Sequence, residues 1–191
     1  MSDHLFKPAL FAVTLLALTG CRGILPYESR SIPSGDMEPE LQINDLLWID
    51  RASYMTSKPV RGDIIVFEPT TTLQEQGFTD AFIKRIVGLP GETIAFKDGQ
   101  VYINNSPLPE AYVSDNSPTD VEICEEAGSP PSPFKVPTEI PPDSYFTLGD
   151  NRLNSYDSRC WGFVTKADII GRAVYRYLPS ERTGGIERVQ Y

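Results

Sequence analysis

From residue 45 onward the apolar positions fall in short runs bounded by turn residues: 45–50 (DLLWID), 63–67 (DIIVF), 82–87 (FIKRIV), 93–96 (TIAF), 101–103 (VYI), 145–148 (YFTL) and 171–177 (Gly-Arg-Ala-Val-Tyr-Arg-Tyr). Their β-branched and aromatic content predicts strands. Between the fourth and fifth runs, Lys97-Asp98-Gly99-Gln100 carries the Asp-Gly pair that favours a tight hairpin turn. No helical periodicity extends beyond two turns, except around 166–170 with its approach. The 17 prolines, many of them between 106 and 142, favour extended loops and edge segments over bundled helices. The stretch 114–133 is acidic and rich in proline and serine, a composition that predicts a mobile loop. No internal repeat is visible. The predicted fold class is mainly β.

The N-terminus follows another pattern. Residues 1–7 are polar with one basic residue, Lys7, and 8–18 (PALFAVTLLAL) are apolar. A membrane-spanning helix takes about 20 apolar residues, so this run suits the apolar region of an export signal. It ends in Leu18-Thr19-Gly20-Cys21, which resembles the bacterial lipobox and makes Cys21 the candidate lipidation site. The expected organisation is an export signal with lipobox, or a short membrane anchor, over 1–20, a linker over 21–30 and a folded domain over 31–191. Either form of the N-terminus sends the domain to the non-cytoplasmic side of a membrane, attached through lipid or the short anchor.

Charge and composition then narrow the chemistry. A formal net charge of −9 argues against a nucleic-acid partner, which would need a dense basic face. The single histidine, His4, lies in the segment that an export signal would remove. That excludes Ser-His-Asp and Cys-His catalysis and any His-ligated metal. Three cysteines cannot build a four-cysteine zinc site. With Cys21 lipidated, Cys124 and Cys160 remain in an oxidising compartment, either as a disulfide or as two free thiols. Acid–base work is left to Lys, Asp, Glu or Tyr.

Three segments place polar residues beside glycine or inside apolar strands. The first is Ile32-Pro33-Ser34-Gly35-Asp36-Met37-Glu38-Pro39; the second, 82–92, has Lys84 interrupting an apolar run. A lysine aimed inward loses hydration, which disfavours the ammonium and makes a general base; a surface lysine lying along apolar neighbours is the alternative. The third is Leu148-Gly149-Asp150-Asn151-Arg152-Leu153-Asn154-Ser155-Tyr156-Asp157-Ser158-Arg159, a solvated turn or part of a site. Its oxygen ligands lack the spacing of an EF-hand calcium loop.

In this order, and with Arg61-Gly62-Asp63-Ile64-Ile65-Val66-Phe67 between the first two, the segments resemble bacterial type I signal peptidase, over nearly all of residues 31–178. The resemblance implies a signal-peptidase-like fold of antiparallel sheets, with a small inserted β region at about 98–142. It implies a Ser-Lys dyad that needs no metal or cofactor. Lys84 matches the general base and Ser34 the serine that lends its hydroxyl to the oxyanion hole. Ser155 matches the residue that orients the lysine, and Asp157 with Arg159 a supporting ion pair. The implied partner is the signal peptide, or an extended segment, of an exported preprotein.

The nucleophile position departs from that pattern: it is Asp36, not serine. A carboxylate has no proton to give and is a poor nucleophile toward amides. Beside Lys84 it favours the charged ammonium, so both halves of the dyad are expected to be lost together. The expected function is recognition of the signal-peptide cleavage region with little or no cleavage. The alternatives are an active signal peptidase working by another route, with Ser34 as nucleophile or Asp36 activating water, and a structural envelope lipoprotein.

Overall fold

The computed structural model describes residues 26–114, 117–126, 132–189 and 191. Each predicted strand is present, and two of them show why the fold needs them. β3 (Ile64–Phe67) is buried at all four positions, and β4 (Phe82–Gly88) at its last five. Successive strand residues point to opposite faces, so Ile64 and Val66 enter one core with Ile32, Met37, Leu47 and Ile49. Ile65 and Phe67 enter a second, with Ile86, Tyr145 and Trp161. A sheet apolar on both faces at its centre must be covered on both sides.

The main sheet runs β1 (Tyr27–Ser31), β2 (Leu46–Asp50), β11 (Ile169–Leu178), β3, β4, β9 (Ser144–Leu148), β10 (Val164–Thr165), with β12 (Gly184–Gly185) pairing β11. All its pairings are antiparallel. A second antiparallel sheet orders β7 (Ser106–Pro107), β6 (Gln100–Ile103), β5 (Thr93–Lys97) and β8 (Thr138–Glu139); β5 precedes the region expected as an insertion and the other three strands lie within it. Its hairpin turns at Asp98 and Gly99, whose φ values of 51° and 73° are both positive, as a two-residue type I′ turn requires. A third core joins it to the main sheet through Val87, Ile94, Val101, Ile140, Phe146 and Leu148. The fold is mainly β, as expected.

Four features differ from the sequence reading. The stretch expected as a linker already holds β1 from Tyr27, because a strand whose residues alternate exposed and half-buried can pair with β2 without an apolar run of its own. Residues 166–170 form no amphipathic helix: Lys166–Asp168 is a 3-10 turn, with Asp168 accepting from the Thr165 hydroxyl at 2.7 Å, and β11 starts at Ile169. The described part of the 114–133 stretch is tied down. It contains α2 (Ile123–Glu126), buries Val121 and Cys124, and bonds Cys124 to Cys160, 36 residues away. The short strands β7, β8, β10 and β12 had too few residues to register as patterns.

The other helices are short: α1 (Thr71–Glu75), capped by the Thr70 side chain, and α3 (Ser158–Trp161), capped by Asp157. Among the described residues no helix is long and apolar enough to cross a membrane. The export signal, the lipobox and Cys21 lie outside the described residues.

Candidate functional site

The three polar segments converge where the loop after β1, the middle of β4 and the loop after β9 meet. Lys84 lies on the strand face that also carries Phe82 and Ile86, opposite Ile65 of β3, and is 1% exposed. A buried ammonium must find acceptors. Nζ donates to Asp36 Oδ2 in a close ion pair and to the Ile83 carbonyl at 3.0 Å, and it stands 5.5 Å from the centre of the Phe82 ring. The other carboxylate oxygen, Oδ1, accepts from the Ser34 hydroxyl at 2.7 Å. Asp36 is half-buried and Ser34 exposed, so the line Ser34–Asp36–Lys84 runs from solvent to interior.

The backbone of this loop is held from the third segment. Asn151 N–H donates to the Asp36 carbonyl at 3.1 Å, and its side-chain amide donates to the Gly35 carbonyl at 3.0 Å. Gly149 permits the approach: a Cβ there would lie 2.4 Å from the Asp36 carbonyl oxygen and 2.2 Å from Ser155 Oγ. Only a residue without a side chain fits.

Behind the site lie three guanidinium groups that are 0–1% exposed. Arg85 grips Asp150 with two bonds, at 2.8 and 2.6 Å, and donates to the Gly62 carbonyl at 3.0 Å. Burial works against its charge, but the bonds to Asp150 outweigh it and the guanidinium stays more firmly protonated than usual. Arg152 reaches the Gly149 carbonyl at 2.9 Å, then Thr119 at 2.7 Å and Glu110 at 2.6 and 2.9 Å. Arg159 holds Asp157 through two bonds of 2.8 Å and reaches back to the Arg152 carbonyl at 2.9 Å. Burial alone would push the Asp157 carboxyl up; the Arg159 guanidinium, helped by the Gly149 N–H, brings it below the ordinary aspartate range. The Asp157–Arg159 pair expected from the sequence is thus formed, in the interior.

Ser155 is the exception among the expected contacts. Its hydroxyl is buried beside Gly149 and helps to hold Asp157 charged, while Lys84 Nζ donates to the Asp36 carboxylate instead. A charged acceptor draws an ammonium more strongly than a neutral hydroxyl does, which accounts for the difference. Several residues were missed by sequence reasoning: Asn151 as the clamp on the loop, Asp150 as the partner of Arg85, and Glu110 and Thr119 as the partners of Arg152. One signal was available for the second. Lys84-Arg85 puts two cations in succession in an apolar strand, where alternation sends them to opposite faces and each needs its own partner.

A family model described as signal peptidase, peptidase S26, matches residues 5–178. A probable signal peptidase I-2 of Synechocystis is 46% identical over 157 residues, covering 82% of this chain and 66% of that protein. The signal peptidase I of Leptolyngbya laminosa is 46% identical over 159 residues, covering 82% of this chain and 71% of that protein. The chain thus spans about two thirds of the length of these relatives. The crystal structure of a signal peptidase I from Enterococcus faecalis V583 matches at 34% identity with a TM-score of 0.46, covering 61% of this chain and 97% of that chain.

Proposed function

The chain belongs to the signal peptidase family, peptidase S26, and from that premise we propose that it recognises the cleavage region of signal peptides on exported preproteins at a membrane surface while cutting them little or not at all. The observation that carries this reading is the Asp36–Lys84 ion pair. A Ser-Lys dyad needs a neutral amine to take the hydroxyl proton. Here the amine is a donor to a carboxylate, in a pocket where it is 1% exposed. Nothing in the pair can act as the hydroxyl nucleophile.

The framework for binding is present nonetheless. The Asn151 clamp and the buried Asp157–Arg159 and Asp150–Arg85 pairs keep the loop after β1 beside β4. β4 pairs with β9 only from Arg85 onward, so an extended peptide bound by main-chain hydrogen bonds beside Phe82–Lys84 would not need the nucleophile. Localisation at a membrane, with the domain on the non-cytoplasmic side and Cys21 lipidated, completes the proposal.

The test uses the full chain in detergent with a purified preprotein, beside D36S and D36S/K84A. The expected result is binding by the wild type with cleavage at least about a hundredfold slower than by D36S, and silence again in the double variant. Wild-type cleavage at a rate near that of D36S would overturn the reading.

A further inference from the structure

The Asp36 carboxylate has a partner on each side, and the one facing solvent is a nucleophile by type. Ser34 is exposed and donates its hydroxyl proton to Oδ1 at 2.7 Å, while Lys84 holds Oδ2 from the buried side. An activated hydroxyl has this arrangement: a base within hydrogen-bond reach, itself held by a third group. We propose that Ser34 is an acyl-accepting nucleophile, with Asp36 as its general base and Lys84 as the positioning residue that orients Asp36. The inference rests on the peptide-binding reading above for its acyl donor. It assigns the chemistry to a different oxygen from the one at the family's nucleophile position.

The atoms balance without any co-reactant. As the Ser34 Oγ–carbon bond forms at a peptide carbonyl, the hydroxyl proton passes to Asp36 Oδ1. Asp36 returns that proton to the amide nitrogen as the C–N bond breaks and the amine leaves, with the acyl group esterified to Ser34. Water then attacks the ester, gives a proton to Asp36, and the ester C–O bond breaks as Ser34 Oγ regains a proton from Asp36. Charge also balances along the way. In the resting site Asp36 and Lys84 neutralise each other. Once Asp36 takes the proton, the Lys84 ammonium is no longer neutralised by it and offsets the new oxyanion from behind the protonated carboxyl. The carboxylate that would repel an oxyanion is neutral when the oxyanion exists. A carboxylate is a weaker base than a neutral amine, so turnover is slow, in keeping with the low cleavage proposed above.

A fluorophosphonate reports on the nucleophile without needing turnover. The Oγ–P bond forms, the P–F bond breaks, fluoride leaves, and the proton goes to Asp36. The full chain is treated with the reagent and the label located by peptide mass mapping. The expected result is one phosphonyl group on Ser34, none in S34A, labelling at least about tenfold slower in D36N, and a shift of the label to position 36 in D36S. A wild-type chain that takes no label at Ser34, or one labelled no faster than D36N, overturns the proposal. Preprotein binding measured on the same samples separates the two readings. Binding without label leaves the peptide-recognition reading standing and this one fallen. Label on Ser34 without binding keeps Ser34 as the nucleophile and overturns both the peptide-recognition reading and the peptide as acyl donor.

Discussion

Arg85 and Asp150 are the residues on which the site's geometry most depends, although neither faces the solvent. They join β4, one residue past Lys84, to the loop that carries Asn151, through two bonds with side chains 0–1% exposed. Exchanging such a buried pair for apolar residues can be close to neutral, whereas removing one partner strands a charge and costs about 3–5 kcal/mol. R85M and D150N are therefore each expected to lower the urea midpoint of unfolding by that equivalent. R85M/D150L should lose less than the sum of the two. A double-mutant cycle measured by urea denaturation checks this, and additivity of the two losses would contradict it. At this scale the sequence was readable in part. Lys84, Asp36 and Ser34 stand together as their positions in the motifs suggested. What could not be read was the direction each side chain takes. The Asp36–Lys84 pair was expected, since a carboxylate beside a lysine holds its ammonium, but that it would form without a bond from Lys84 to Ser155 depends on a distance across two loops.

Among the elements, α2 and α3 share the disulfide between Cys124 and Cys160. It fastens the region around Thr119 and Asp120, whose Thr119 hydroxyl accepts from Arg152 at 2.7 Å and whose Asp120 carbonyl accepts from Arg159 at 3.0 Å, over the arginines behind the site. Closing a loop with a sequence separation of 36 is worth roughly 3–4 kcal/mol through the entropy of the unfolded chain. C124A/C160A is expected to lose stability of that order. Hydrogen exchange in residues 119–124 should quicken, while the central strands β3 and β4 keep their protection. A variant as stable as the wild type, with unchanged exchange, would sink this account. The long apolar strands were legible because burial on both faces leaves no polar positions to confuse the pattern. β1 was not, since its residues alternate between exposed and half-buried positions and carry no apolar run.

The whole molecule carries its ionisation limits in its phenols. Tyr54 is held above the ordinary tyrosine range by burial first and by Asp63 second, to which its hydroxyl donates at 2.9 Å. Tyr112 is raised in the same way by burial and by Glu110. A raised folded pKa means the native state keeps a proton that the unfolded chain releases near pH ~10. The stability these groups contribute is therefore full below that pH and is lost as pH rises through it, at about 1.4 kcal/mol per pH unit for each phenol. Urea midpoints should hold up to about pH 10 and fall from there toward about pH 12, and Y54F should flatten the fall. An equal slope in Y54F would show that Tyr54 ionises as freely in the folded chain as in the unfolded one.

Among the described residues β1 pairs on one side only, with β2, and this has a consequence of another kind. An unpaired strand edge is a template on which further chains can polymerise. Here that strand reads Tyr-Glu-Ser-Arg-Ser, and Glu28 is bridged to Arg30 at 2.5 Å and to Arg51 at 3.1 Å. To add a strand, an incoming chain would have to strip water from these charges and match them at the same time. Among the described residues, this end of the sheet therefore offers a neighbouring copy paired charges in place of an apolar seam.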